Sequence, residues 1–190
     1  ILVLADETAN PKFVAADLMS QAEHDVMASS ILVTTSEKLV DETIKELERQ
    51  VKELSRKDII EKSLSTYGAA IVCDCIDCAI ELANELAPEH LEVLLQNPME
   101  YLGRLDNAGS IFLGQYAPEP LGDYYAGPNH VLPTSGTARF FSPLSVNSFT
   151  KRTSYIYYTE QALLDAKTDI VTIAEKEGLT AHANAIKVRF

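Results

Sequence analysis

The chain has 190 residues, of which 46% are hydrophobic and 23% charged, a balance typical of a folded globular protein and not of a disordered one. Its formal net charge of −12 argues against binding a nucleic-acid backbone or an anionic membrane surface, because both require clustered Lys and Arg. No apolar stretch approaches the roughly 20 residues that a membrane-spanning helix needs.

Strand-like and helix-like segments alternate along most of the chain. The hydrophobic pattern predicts strands at 1–6, 30–35, 69–73, 91–95 and 110–113, and helices at 11–27, 36–55, 57–65 and 75–86. The first helix has Asn10 as its cap and Pro11 at its first position. Strands separated by helices of this length indicate βαβ units, so we predict an α/β fold with a mostly parallel, Rossmann-like sheet flanked by helices.

A stretch rich in glycine and proline, 114–137, is long for a loop inside a compact domain, which favours a functional role. Beyond it, a predicted strand at Tyr155–Tyr158 precedes a helical tail at roughly 160–188. We therefore expect an α/β domain at 1–142 and a small, mainly helical C-terminal domain at 143–190. Ligands of such sheets usually bind at the carboxyl ends of the strands, and the site is expected there.

Cys73, Cys75 and Cys78 form a closely spaced group that allows two interpretations. One is a metal or redox cluster. The other, which we favour, is the end of a buried strand running into a helix, with cysteine acting as a small hydrophobe. A structural zinc site takes four ligands, usually in two separated pairs, and no fourth cysteine exists. An odd number of cysteines also suits a reducing cytoplasm better than a disulfide framework.

All four histidines lie in short polar motifs. These are Gln21 to His24, Glu89-His90, the segment from Asp123 to His130, and Glu177 to His182. Imidazole and carboxylate groups are common zinc ligands, and they also work as acid–base groups near neutral pH. The grouping suggests one site assembled from four segments of the chain.

Each motif also has a structural interpretation. Gln21 and His24 are three residues apart on a predicted helix and face the same way, but Gln is an unusual zinc ligand, and exposed helix residues are the alternative. Asp123 could be a metal ligand or a turn residue. Glu89 and His90 are neighbours, which in a regular strand point to opposite faces. They share a pocket only if that segment is irregular. His182 alone is typical of a helix surface.

Six segments, in order along the chain, together resemble the histidinol dehydrogenases. They are Ala-Asp-Glu-Thr-Ala-Asn-Pro (5–11), Ala-Ala-Asp-Leu-Met-Ser-Gln-Ala-Glu-His (15–24), Leu-Ala-Pro-Glu-His-Leu-Glu (86–92), Gly-Pro-Asn-His-Val-Leu-Pro-Thr (127–134), Lys-Arg-Thr-Ser-Tyr (151–155) and Glu-Gly-Leu-Thr-Ala-His-Ala-Asn-Ala (177–185). Matching segments of this length, spread over nearly the whole chain, make the resemblance highly specific.

The resemblance implies a cytoplasmic, zinc-dependent enzyme that oxidises L-histidinol to L-histidine through L-histidinal, in two NAD-linked steps that end histidine biosynthesis. It implies a zinc ion held by Gln21, His24, Asp123 and His182. His182 would reach the site of the partner subunit in a homodimer. By the same resemblance His90 is the general base and Glu89 activates the water that hydrates the aldehyde. The implied substrate-contacting residues are Gln21, His24, His90, Glu119, Asp123, His130, Glu177 and His182.

The departure from the family is at the amino end. The resemblance implies that roughly the first half of the family's protein, with much of the nicotinamide-binding domain, is absent from this sequence. No NAD-contacting residue is therefore assigned, and we expect this chain alone not to turn over histidinol. There are two alternatives. One is a zinc hydrolase, although the sequence has no His-Glu-x-x-His motif. The other is a non-catalytic fragment that folds and dimerises.

Overall fold

The computed structural model describes residues 1–190 and divides them into two compact units, Ile1–Phe149 and Thr150–Phe190. The predicted domain boundary after residue 142 lies inside the first unit. That unit contains one sheet with the strand order β3-β2-β1-β4-β5, and every neighbouring pair is parallel. The strands are β1 (Leu2–Ala5), β2 (Ser30–Thr34), β3 (Gly68–Val72), β4 (His90–Leu94) and β5 (Ser110–Leu113). The predicted α/β fold is confirmed.

The helices follow the strands as the hydrophobic pattern predicts. They are α1 (Pro11–Ala22), α2 (Glu37–Gln50), α3 (Lys57–Tyr67), α4 (Ile76–Leu86), α5 (Glu119–Tyr124), α6 (Glu160–Lys176) and α7 (Thr180–Lys187), with short 3₁₀ helices at Val51–Glu53, Pro98–Glu100, Leu102–Arg104, Thr137–Arg139 and Val146–Phe149. The Asn10 side chain accepts a hydrogen bond from the Lys12 amide at 3.0 Å, so the predicted cap of α1 is confirmed. None of the helices is both long and apolar enough to cross a membrane.

The centre of the sheet is buried on both faces, where the strand β1 is apolar throughout. Leu2 and Leu4 point to one face and pack in a cluster with α4. Val3 points to the other face and packs with residues of α1 and α2. Alternation of side chains along a strand explains this division, and a parallel sheet covered by helices on both faces requires it.

The edge strand β3 differs from the prediction of a buried strand. Most of its residues are exposed, because β2 is its only neighbour in the sheet. The strand does run into α4, as predicted. Cys75 and Cys78 are paired as a disulfide, a pairing that the sequence did not predict, and Cys73 is free. The Cα atoms of the pair are 5.4 Å apart, within the range that a disulfide spans.

Three features of the secondary structure differ from the prediction. Helix α1 ends at Ala22 and not at residue 27, because the Asp25 side chain accepts a hydrogen bond from the Met27 amide at 2.8 Å and closes a turn. Residues 155–158 are not a strand, since no neighbouring strand provides ladder partners. The long segment 114–137 is not entirely a loop, because it contains α5.

The second unit consists of an extended segment followed by α6 and α7. The two helices pack through small buried residues, Ala174 and Ala183. An ion pair between Lys187 and Glu175 joins them. Small residues at a contact let two helix backbones approach closely, and here they leave most of the unit's larger side chains exposed.

Candidate functional site

Several polar residues predicted for the site meet at the amino ends of the strands. His90 is the first residue of β4, and Gln21 lies in the last turn of α1. A cavity of about 430 Å³ opens at this edge, lined among others by Ile1, Gln21, Ser29 and Glu89. The predicted site residues in this cluster thus lie at the amino ends of the strands, opposite to the carboxyl ends where the site was expected. Helix α1 starts beyond the carboxyl end of β1 and runs back along the sheet, which brings its last turn to the amino edge.

His90 is the central side chain of this cluster. It is buried, with 7% of its surface exposed. Its Nδ1 lies 3.1 Å from Oε1 of Gln21, and its Nε2 lies 4.0 Å from Oε1 of Glu119. Burial lowers the pKa of His90 to about 4, so the ring is neutral at pH 7. A neutral ring that donates from Nδ1 to the amide oxygen keeps the lone pair on Nε2 available.

Glu119 and Asp123 reach the cluster from α5. They are four residues apart and share one face of the helix. The ligating atoms of His90, Glu119 and Asp123 all lie within 4.8 Å of one another. Burial, together with the charge of Asp123 and a hydrogen bond to it, raises the pKa of the Glu119 carboxyl. Asp123 thus lies on a helix, and not in the loop that the sequence predicted.

Two glycines allow this close assembly. A Cβ atom on Gly122 would lie 2.6 Å from Cε1 of Phe112, so only glycine lets α5 pack against β5 at this point. A Cβ atom on Gly109 would lie 2.5 Å from the carbonyl oxygen of Glu89. The segment that leads into β5 therefore passes directly against the residue before His90. Sequence reasoning did not assign a role to either glycine, because the need for them arises from contacts distant in sequence.

Glu89 lies just before β4, so strand alternation does not force it away from His90. It lines the cavity and is half-buried. Its carbonyl oxygen accepts a hydrogen bond from the Ser110 amide at 2.9 Å, which fixes its backbone against β5. Burial raises the pKa of the Glu89 carboxyl, and the charges of His24 and Asp123 also act on it. The same two charges act on His90, which indicates that both residues face one region.

The other predicted site residues are not held in this cluster. His24 is exposed in the turn that follows α1, although its charge reaches Glu89 and His90. His130 is exposed in the segment after α5. Glu177 and His182 belong to the second unit, where both are exposed, at the end of α6 and on α7.

Comparison with known proteins agrees with the motifs. A sequence model described as histidinol dehydrogenase matches residues 1–190, the whole chain. The chain belongs to the histidinol dehydrogenase family.

Individual members of the histidinol dehydrogenase family are close in sequence and structure. The histidinol dehydrogenase of Clostridium acetobutylicum is 65% identical over 190 residues, which are all of this chain and 44% of that protein. The one from Caldanaerobacter subterraneus subsp. tengcongensis is 64% identical, over 98% of this chain and 44% of its own length. The crystal structure of histidinol dehydrogenase from Elizabethkingia anophelis superimposes with a TM-score of 0.85 at 42% identity. The superposition covers 99% of this chain and 43% of the Elizabethkingia anophelis chain. The chain thus spans less than half the length of these relatives.

The donor set at the amino edge fits a zinc ion. Asp123 brings a carboxylate oxygen to this edge from α5, and Gln21 brings an amide oxygen from α1; carboxylate oxygen is an ordinary zinc ligand. Two carboxyls in contact repel each other once ionised, and a bound divalent cation would relieve that repulsion. The amide oxygen of Gln21 has two lone pairs, so its contact with His90 leaves one available to a metal.

Two further acids lie behind the cluster, and sequence reasoning missed both. Glu92 of β4 is 2% exposed, and the carboxyl of Asp17 on α1 lies close enough for its charge to act on it. The available signal was a charged residue at the centre of an otherwise apolar strand, His-Leu-Glu-Val-Leu at 90–94. Charged residues are almost never fully buried without a partner.

Proposed function

We propose that this chain carries the zinc-binding and catalytic part of a histidinol dehydrogenase, which oxidises L-histidinol to L-histidine through L-histidinal as the last step of histidine biosynthesis. The observation that supports it most is the convergence of Gln21, His90, Glu119 and Asp123 beside a cavity in a member of this family. The neutral, buried His90 suits proton abstraction from an alcohol. The net reaction reduces two NAD⁺ and consumes one water.

The metal ligands in this proposal are Gln21, His24 and Asp123, with His182 of the partner subunit. A zinc ion bound there would hold the imidazole and amino nitrogens of histidinol and so orient the substrate. Gln21 and Asp123 lie within the cluster around His90. The exposure of His24 and His182 leaves both side chains available for ligation.

His90 and Glu89 act in sequence on the substrate. His90 takes the hydroxyl proton of histidinol on Nε2, while a hydride passes to NAD⁺ from the carbon that carries this hydroxyl. Glu89 then removes a proton from the water that adds to the aldehyde, which gives the hydrate for the second hydride transfer. The raised pKa of Glu89 makes its carboxylate a stronger base than an exposed one. Glu119, His130 and Glu177 complete the set of substrate contacts.

The active form in this proposal is a cytoplasmic homodimer in which the second unit contributes to the partner's site. The support is the exposure of the extended segment before α6, where Tyr155 is 93% and Ile156 85% exposed. Adjacent apolar residues with this much exposed surface mark an interaction surface. A ligand on the same unit, His182, is then placed where a partner subunit would receive it.

Binding of NAD belongs, in this proposal, to the part of the relatives that this chain does not cover. The chain alone should then hold the zinc ligands and the base but not turn over histidinol. Fusing it to the missing part of the Clostridium acetobutylicum relative, 65% identical here, should restore histidinol-dependent formation of NADH.

The fused protein provides the test of the catalytic roles. We expect His90→Asn to lower turnover of histidinol by about 10²–10⁴, the usual contribution of a general base. We expect Glu89→Gln to slow the second oxidation selectively, so that NADH formed per histidinol falls from two towards one and histidinal accumulates. Glu48→Gln, an exposed change on α2, is the matched control. A His90→Asn protein with unchanged turnover would overturn the proposal.

A further inference from the structure

Glu92 connects the two elements that carry the cluster. It lies two residues after His90 on β4, so both side chains point to the same face of the sheet. Its Oε1 accepts a hydrogen bond from the backbone amide of Glu119 at 2.8 Å. Glu92 is 2% exposed and Glu119 is 5% exposed, so this bond forms away from water and has no solvent competitor.

The amide that Glu92 accepts from is the first of helix α5. The first amides of a helix have no partner within it, and a helix of six residues has little cooperativity to hold its own start. A fixed acceptor at this point therefore sets where α5 begins and in which direction it runs. Because Glu119 and Asp123 are one turn apart, the same bond sets where both carboxyls project.

The second oxygen of Glu92 faces Asp17 on α1. Oε2 of Glu92 is buried and has no hydrogen-bond partner, and Asp17 lies close enough for its charge to act on the Glu92 carboxyl. Asp17 is four residues before Gln21 and therefore on the same side of α1. The acid pair thus links α1, β4 and α5, which carry Gln21, His90 and the two α5 carboxyls.

We propose that Glu92 is a positioning residue that fixes helix α5 so that Asp123 meets Gln21 at the proposed metal site, with Glu119 beside His90. Glu92 touches neither substrate nor metal and acts only through the backbone of Glu119. The inference rests on the proposed function of this site. Its geometric part, the anchoring of α5, is testable without any metal or substrate.

The first test measures amide hydrogen exchange in the metal-free chain. We expect the Glu119 amide to exchange at least about tenfold more slowly than that of Glu160, which occupies the same first position in the exposed helix α6. Glu92→Gln should keep this protection, because the Gln oxygen still accepts from Glu119 and its amide group donates to Asp17. Glu92→Leu should lose it. Equal exchange at Glu119 and Glu160 in the unmodified chain would overturn the anchoring.

The second test measures the affinity of the same three proteins for Zn²⁺. Loss of a group that orients metal ligands typically weakens binding about 10–100-fold, which we expect for Glu92→Leu, while Glu92→Gln stays within about threefold of the unmodified protein. A Glu92→Gln protein that binds as weakly as Glu92→Leu would overturn the positioning role, and this comparison holds even if the leucine variant unfolds. Absence of zinc binding by the unmodified chain, with Glu119 protected, would instead contradict the proposed function.

Discussion

The proposed site residues form two groups that differ in how far their side chains are buried. In the first unit, Gln21 and Glu119 pack around the buried imidazole of His90, while His24 and His130 lie exposed outside this group. In the second unit, Glu177 and His182 are exposed on helices with only one buried residue each. The first group owes its order to a sheet and two close glycine contacts. The second group has no such support within its own unit.

The difference shows which part of a site a single chain can organise by itself. A strand start, a helix end and a short helix converge at the amino edge of the sheet, and each is fixed by core packing. Ligands on a lightly packed helical unit depend on whatever else that unit contacts. We therefore expect substitutions behind the first group to change both stability and metal binding, and substitutions in the second unit, other than those of its proposed site residues Glu177 and His182, to change only local helix stability.

The largest expected effect comes from Gly122→Ala. The added methyl group would meet the Phe112 ring at 2.6 Å, and overpacking of this kind costs about 1–3 kcal/mol. Chemical denaturation should show this loss in the free energy of unfolding. Gly103→Ala is the matched control, because a Cβ atom there meets nothing within 4 Å. Equal stability of the two variants would show that α5 is not held tightly against β5.

The next effect is a dependence of stability on pH. Burial and the charge of Asp17 raise the pKa of Glu92 above its ordinary value of 4.5. The folded state therefore holds a proton that the unfolded state releases, and the unfolding free energy falls as pH rises above 4.5. The Glu92→Gln variant has no acid at this position, so its unfolding free energy does not fall in this way as pH rises. Its stability relative to the unmodified chain should rise by on the order of 1–3 kcal/mol between pH 5 and pH 9.

Glu48→Gln provides the control for this pH series, since it removes one exposed acid from α2. Its stability relative to the unmodified chain should stay nearly constant over the same range. A constant difference for Glu92→Gln as well would mean that Glu92 gains no proton on folding. The inference that burial and the charge of Asp17 raise the pKa of Glu92 would then be wrong.

The smallest effect compares two helix caps. The Thr159 hydroxyl caps α6 and the Ser36 hydroxyl caps α2, each by accepting from an amide at 3.2 Å. Alanine at either cap should cost about 1 kcal/mol. Because Ala174 is the only buried residue of α6, Thr159→Ala should speed amide exchange throughout α6. Ser36→Ala should affect only the first turn of α2, where Leu39 anchors the helix. The opposite distribution would remove the distinction between the two units.

The fold was largely predictable from the sequence, because apolar periodicity and Asn10 mark the elements directly. The end of α1 was not, since a side-chain bond from Asp25 overrides the apolar pattern. The segment at Tyr155–Tyr158 has strand-like composition, but composition does not provide a neighbouring strand. The prediction that β3 is buried was also wrong, because the place of a strand within the sheet is set by the topology.

The candidate site was predictable mainly through resemblance to a family. Periodicity gave no reason for Gln21 and His90 to meet, and the usual rule for parallel sheets indicated the opposite edge. The contributions of Gly122 and Glu92 depend on contacts between elements far apart in sequence. Such contacts leave only weak traces in one sequence, here a charge in an apolar strand and a glycine before an aspartate.

The most direct test of the account is the zinc content and native mass of the purified chain beside those of His182→Ala. The account predicts close to one zinc per chain in a dimer for the unmodified protein, and loss of zinc with retention of the dimer for the variant. Zinc bound equally well by His182→Ala would contradict the assignment of that ligand. A zinc-free unmodified chain would contradict the claim that the first unit preassembles the metal site.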